Sequence, residues 1–179
     1  AKKTEKNRFE VTEKPTADFS GKWKTEFLEA DGDVYPAVGI FTQNGDKITG
    51  TFLTKLGDYR YLEGNVSGNS FYLSTFDGNH LFLFSGDLKA DGSVAGRFRS
   101  GPKSKETFQA IRDENFELPD AFSLNSLKEG YYTFSYTFPE LNGKMVYLED
   151  EKFKDKVVLV QIFGTWCPNC VDETKFLAP

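Results

Sequence analysis

Ser67-Gly68-Asn69-Ser70-Phe71-Tyr72-Leu73-Ser74-Thr75-Phe76-Asp77-Gly78-Asn79-His80-Leu81-Phe82-Leu83-Phe84 reads as one strand held between two turns, followed by the start of the next strand. Phe71, Leu73 and Thr75 fall on every second residue, as do Phe82 and Phe84, which is the period at which side chains of an extended chain share a face. Ser67-Gly68 and Asp77-Gly78 supply residues that tolerate the positive φ of tight hairpins. The same pattern continues both ways. Trp23-Thr25-Phe27, Val38-Ile40, Ile48-Gly50-Phe52, Leu62-Gly64-Val66 and Val94-Gly96-Phe98 alternate likewise, punctuated by Asp31-Gly32, Asn44-Gly45 and Asp91-Gly92. No helical stripe intervenes, so the chain is predicted to be mainly β, with an antiparallel up-and-down β barrel or sandwich over 19–112. Closure into a barrel would remove the exposed strand edges.

Composition narrows the function classes. The chain has 179 residues, 39% hydrophobic and 16% aromatic, enough to fill a core. A net charge of −5, with acids and bases interspersed, leaves no continuous basic face and argues against nucleic acid as a partner. The basic start (Lys2, Lys3, Lys6, Arg8) is broken by Glu5. The longest apolar run, 157–163, is far shorter than the roughly 18–20 residues of a membrane helix, so no transmembrane segment is expected. No Met or apolar leader precedes Ala1, as in a processed or trimmed chain.

Residues 1–18 are polar, aperiodic and interrupted by Pro15, and are expected to form a flexible N-terminal arm. Residues 113–133, with Pro119, Gly130 and several acids, read as a connector into a second unit over 134–179. There, residues 134–138 and 145–148 flank the turn Leu141-Asn142-Gly143-Lys144 and predict a hairpin. Residues 149–156 form a charged link, with Glu149-Asp150-Glu151 solvated, into a strand predicted over 157–163.

That strand runs into Gly164-Thr165-Trp166-Cys167-Pro168-Asn169-Cys170, which contains both cysteines of the chain. A disulfide exchanger needs one thiolate to attack and a second thiol close enough to resolve the mixed disulfide. Cys167 at a helix start would meet unpaired N–H groups and the positive end of the helix dipole, which favour a thiolate. Pro168 suits the first helical position, where its missing N–H costs nothing. Cys170 returns one turn later on the same face as the resolving thiol. Asp172 and Glu173 oppose the thiolate if they lie near the sulfurs. A structural disulfide would close so short a loop that chain entropy credits it with only about 2 kcal/mol. Structural zinc needs four ligands, and the only histidine, His80, falls in the other unit, so no metal is expected.

Phe138-Pro139-Glu140-Leu141-Asn142-Gly143-Lys144 and Lys156-Val157-Val158-Leu159-Val160-Gln161-Ile162-Phe163 leading into Trp166-Cys167-Pro168-Asn169-Cys170 resemble the opening of the TlpA/ResA-like thiol-disulfide oxidoreductases. These belong to the thioredoxin superfamily, grouped as redoxins with the AhpC/TSA peroxidase relatives, and the likeness covers residues 134–179. It implies a thioredoxin-like α/β segment in which Cys167 is the nucleophile, Cys170 resolves it, and Glu173, three positions after Cys170, handles protons. Glu173 as an exposed first-turn acid is the alternative. Trp166 and Pro168 support the motif. The resemblance further implies a redox-active disulfide with no other cofactor, protein or small-molecule thiols and disulfides as partners, and an extracytoplasmic, periplasmic location.

The family's fold continues well past its CxxC motif and carries a cis-proline loop, whereas nine residues follow Cys170 and Pro179 lies too close to serve. The segment is therefore expected to be incomplete, the front part of a longer protein, and weakly active, because so short a helix is marginal alone. Residues 157–163 are expected to pair with another chain or with the β unit, a route to a homodimer through unpaired strand edges. The peroxiredoxin Pro-x-x-x-Thr-x-x-Cys pattern is absent from the motif. From another class comes a binding module, in which the β unit holds an apolar ligand or a protein partner.

In the β unit, Gly21-Lys22-Trp23 resembles the Gly-x-Trp of lipocalins, whose Trp closes the barrel base under an Arg of the last strand. Arg97, Arg99 and Arg112 are the candidates, and Trp23 as ordinary core is the alternative. Phe52, Phe71, Phe82, Phe84 and Phe98 either line a cavity for an apolar ligand or fill the interior. His80 is expected to be a strand-end side chain.

Overall fold

Alternation in the sequence becomes registered antiparallel pairing in the computed structural model, which describes residues 7–102, 104–120, 123 and 126–178. These fall into two units, 1–120 and 121–179. Lys2, Lys3, Glu5, Lys6 and Pro179 lie outside the described residues. In the first unit β1 (Gly21–Leu28), β2 (Val34–Asn44), β3 (Lys47–Thr54), the two-residue β4 (Gly57–Asp58), β5 (Leu62–Ser67), β6 (Ser70–Phe76), β7 (Leu81–Leu88), β8 (Val94–Ser100) and β9 (Ser104–Arg112) follow one another. Each long strand pairs with its neighbours in sequence, and β9 returns to β1 with Trp23 opposite Arg112 and Phe27 opposite Phe108. The pairing of β2 with β3 completes the ring. The result is a closed, up-and-down barrel of eight long strands, so the barrel rather than the sandwich is formed and its ladder leaves no long free edge.

Inward positions are almost all aromatic or aliphatic: Trp23, Phe27, Phe41, Ile48, Phe52, Leu62, Val66, Phe71, Leu73, Phe84, Val94, Phe98 and Phe108 are buried in one cluster. Phe27 is its hub, with ring contacts to Tyr35, Phe52, Tyr59, Phe84, Phe98 and Phe108 at 5.1–6.3 Å between centroids. So many rings fit because facing positions are small. A Cβ on Gly86 would sit 2.6 Å from the Phe71 ring and 2.9 Å from Val94, and one on Gly96 would penetrate the Phe108 ring. Gly96→Ala is therefore expected to lower stability by about 1–3 kcal/mol, the usual cost of overpacking, read as a lower urea midpoint at unchanged slope.

One predicted run has the opposite phase. On β2 the inward residues are Ala37, Gly39 and Phe41, while Ile40 is exposed and Val38, though buried, is outside the core cluster. Gly39 faces in because a Cβ there would meet the Phe41 and Phe52 rings at 2.9 and 3.1 Å, so a small residue under two large ones outweighs the apolar character of Ile40.

The barrel base is closed by Trp23 and Arg112. The Arg112 guanidinium lies 4.6 Å from the Trp23 ring centroid, and it donates to the carbonyls of Ser20 and Asp18. The Trp23 Nε1–H donates to the Phe19 carbonyl at 2.8 Å. Of the three candidate arginines, Arg112 takes this place because register sets it opposite Trp23; Arg97 and Arg99 lie on the exposed face of β8. Arg112→Ala should cost about 1.5–3 kcal/mol, since hydrogen bonds from a charged group are lost at the barrel end. Arg112→Lys should recover only part of it, lacking the planar fork, and urea unfolding of both variants checks this.

The flexible arm expected over 1–18 is corrected for its described part. Asn7 donates to Asp46 at 3.0 Å, Arg8 pairs with Glu63 at 3.1 Å, the Phe9 N–H donates to Asn65 Oδ1 at 3.0 Å, and the backbone of Thr12 and Glu13 donates to Ser67 Oγ. Asn65, on the face of β5 opposite Val66, is only 1% exposed, and its own amide donates to the Asp46 carbonyl. A buried amide needs partners, and the strap supplies one.

The second unit contains a two-stranded ladder, β10 (Thr137–Pro139) with β11 (Met145–Tyr147), a one-turn 3₁₀ helix (Glu151–Phe153) and α1 (Pro168–Leu177). The predicted hairpin is shorter than expected and its turn uses positive φ at Gly143 alone. Lys152 binds Glu140 at 3.1 Å and, by that hydrogen bond and its charge, holds the Glu140 carboxyl below the usual carboxylate range. The strand expected over 157–163 is not formed. The segment enters no ladder, and Val157 and Ile162 are almost fully exposed. An apolar run of this kind needs partners on both edges and cover on both faces, and β propensity without them does not make a strand. The thioredoxin-like α/β arrangement is thus absent among the described residues.

Candidate redox site

Gly164 starts the turn that delivers the cysteines. Its carbonyl accepts the Cys167 N–H at 3.0 Å, and the Trp166 indole folds so closely over it that a Cβ would lie 2.6 Å from the ring. Cys167 then leaves the turn extended, with φ −102° and ψ 102°, and becomes the N-cap of α1. Pro168 occupies the first turn of the helix, and the Cys170 N–H, one of the donors left open at a helix start, points to Cys167 Sγ at 3.3 Å. Cys167 and Cys170 are joined as a disulfide, with Cα atoms 5.3 Å apart. Both are half-buried, Asn169 is exposed, and Trp166 is largely exposed beside them.

Glu173 lies one turn further, with its carboxylate accepting from Gln161 Nε2 at 2.9 Å. Thr174 Oγ1 donates to Gln161 Oε1 at 2.9 Å or to the Cys170 carbonyl at 2.7 Å. The Gln161 amide also reaches that carbonyl at 3.5 Å. Gln161 and Thr174 therefore tie the extended segment to the helix behind the second cysteine, a role sequence reading missed. The available signal was the single polar residue within an otherwise apolar run. Asp172 pairs with Lys175 at 3.7 Å along the helix. No residue of α1 is buried, so these polar ties and the disulfide hold it.

The other candidates lie in the first unit. His80 caps the β6–β7 turn, its Nδ1 3.0 Å from Asp77 and its ring stacked on Phe82. Among the described residues no group of three or more His, Cys, Asp or Glu side chains is placed to hold a metal. Phe52, Phe71, Phe84 and Phe98 are buried in the barrel, and a cavity bounded by Phe19, Trp23, Phe71 and Phe108 among others is about 10 Å³. That is about the room one water needs, too little for an apolar ligand at that place. No helix of the described residues is long and apolar enough to cross a membrane.

A closed antiparallel barrel and a helix-capping cysteine pair are the two features that define this chain. No family model matches it. No curated protein matches it either. Among solved structures it is similar to a redesigned β barrel, 17% identical, with a TM-score of 0.43 over 53% of this chain and 91% of that one. A de novo designed fluorescence-activating β barrel is 22% identical, with a TM-score of 0.38 over 53% of this chain and 94% of that one. The barrel assignment stands on the strand pairing itself.

Proposed function

We propose that the chain carries a thiol–disulfide exchange site at Cys167 and Cys170. The observation that supports it most is the placement of Cys167 Sγ at the N-terminus of α1, accepting the Cys170 N–H. A backbone N–H aimed at the sulfur and the positive end of the helix both stabilise negative charge there. Cys167 is only half-buried, and Trp166 beside it is largely exposed.

In the reduced state the Cys167 thiolate attacks one sulfur of a substrate disulfide. An S–S bond forms to Cys167, the substrate S–S bond breaks, and one substrate thiolate leaves. Cys170, deprotonated in turn, attacks the Cys167 sulfur; the Cys167–Cys170 bond forms and the second substrate thiolate leaves. Two electrons pass from the dithiol to the substrate, and the two thiolates leave as thiols after taking up protons. Glu173, held by Gln161, is the proposed proton acceptor for the resolving thiol. Partners are protein or small-molecule thiols and disulfides, and an oxidising, extracytoplasmic compartment suits an exchanger of this kind.

Equilibration in glutathione buffers of graded ratio tests the proposal. The fraction of disulfide should follow the buffer reversibly and reach the same value from either direction. A bond that stays intact across the series, or reopens only on denaturation, would identify a structural cross-link instead. Glu173→Gln should slow release of the second thiol while leaving the first attack unchanged, as rapid-mixing kinetics would record.

A further inference from the structure

The mouth of the barrel opposite Trp23 is closed differently from its base. Every ring of the core comes from a strand or from the strap before β1, except that of Tyr59, which follows the two-residue β4 and drops into the mouth. Its ring centroid lies 4.9 Å from Phe98, 5.2 Å from Phe84, 5.3 Å from Phe82 and 6.2 Å from Phe27. Its hydroxyl is 2.9 Å from that of Tyr35, which in turn donates to Glu106 Oε2 at 2.7 Å. Tyr35 has one proton and directs it at a carboxylate, the stronger acceptor, so the bond between the two phenols is donated by Tyr59. Burial first, and then these hydrogen bonds, push the Tyr35 phenol far above its ordinary range and keep it neutral. The space that Tyr59 fills is therefore a slot walled by aromatic faces and ending in an acceptor oxygen.

The segment bearing Tyr59 is short. It is joined to β3 by the β4 ladder, by Thr54 Oγ1 donating to the Gly57 carbonyl at 2.9 Å and by the Tyr59 N–H donating to the Phe52 carbonyl at 3.0 Å, and the Arg60 N–H donates locally to Asp58 Oδ1 at 2.7 Å. Arg60 sits at φ 58°, in the left-handed region that costs a non-glycine residue. Leu56 and Tyr61 on either side are almost wholly exposed. Swinging this segment outward releases that strain, while the strand-borne rings stay in place.

We propose that the barrel mouth is a binding site for an aromatic ligand bearing a hydroxyl donor, a phenol, and that Tyr59 is a built-in occupant which the ligand displaces. The ligand ring takes the slot among Phe27, Phe82, Phe84 and Phe98, and its hydroxyl donates to Tyr35, which stays bound to Glu106. An aryl ether or plain arene of the same size fills the slot but leaves the Tyr35 oxygen without a donor.

The test uses the full chain, with p-cresol, p-methylanisole and toluene as probes. In the wild type, labelled with fluorotyrosine and assigned by a Tyr59→Phe control, p-cresol should shift the Tyr59 fluorine signal to a solvent-exposed position at saturation. In Tyr59→Ala, p-cresol should bind more tightly than in the wild type, and about tenfold more tightly than either other probe, the worth of one hydrogen bond. Tyr35→Phe in that background should remove the preference. An unmoved Tyr59 signal at saturating p-cresol in the wild type would overturn the proposal, and so would equal affinities of the three probes in folded Tyr59→Ala. The wild-type measurement decides the matter even if the alanine variant does not fold.

Discussion

Phe27→Ala is expected to destabilise the barrel by about 3–5 kcal/mol, the range for removing a fully buried phenylalanine. The upper part of that range applies here because Phe27 is 0% exposed and touches six other rings, five of which come from other strands. Those rings cannot collapse into the space without moving strands whose register is fixed on both sides by the closed ladder. A marginally stable domain has about 5–15 kcal/mol in hand, so this one change should remove a large fraction of the total. The measurement is a urea titration followed by far-ultraviolet circular dichroism, with Phe27→Leu as the milder control. A loss of under about 1 kcal/mol would show that the barrel relaxes around the gap and that the ring cluster is not its organising core.

The second large effect is chemical. Cys167→Ser should abolish exchange with a small aromatic disulfide, because Cys170 begins reaction from within the helix and its N–H already points at position 167. Cys170→Ser should do something different: the first attack proceeds at a near-normal rate, and the mixed disulfide on Cys167 then persists for want of a resolving thiol. Mass spectrometry of the two variants after brief exposure separates the roles. Equal labelling of both, at similar rates, would mean that neither sulfur is favoured by its place on α1.

The barrel could be read from the sequence because its local signals agree: glycine turns, a two-residue period and apolar inward positions all specify the same strands. The phase of β2 could not. Its inward positions, Ala37 and Gly39, are small to make room for Phe41 and Phe52, and that need arises only once β2 meets β3. The strap over residues 7–18 escaped for a related reason. Its polar sequence lacks any period, and what fixes it is hydrogen bonding to Asn65, Ser67 and Asp46, residues far along the chain. At the cysteine pair, the helix start is written in Cys167, Pro168 and Cys170, whereas the Gln161–Glu173–Thr174 ties depend on how an extended segment folds back on the helix. Residues 157–163 show the converse. Their β-branched, apolar character is clear in the sequence, yet a strand also needs a strand to pair with, and no strand among the described residues pairs with them.

The exchange proposal is tested most directly by reacting the reduced wild-type chain at neutral pH with a chromophoric aromatic disulfide, and counting both the thiol released and the label retained. An attacking Cys167 backed by Cys170 predicts a transient adduct on Cys167 alone, two equivalents of released thiol for each chain, and a final product that carries the Cys167–Cys170 disulfide and no label. A stable label on both cysteines, or no reaction while the chain stays folded, would contradict it.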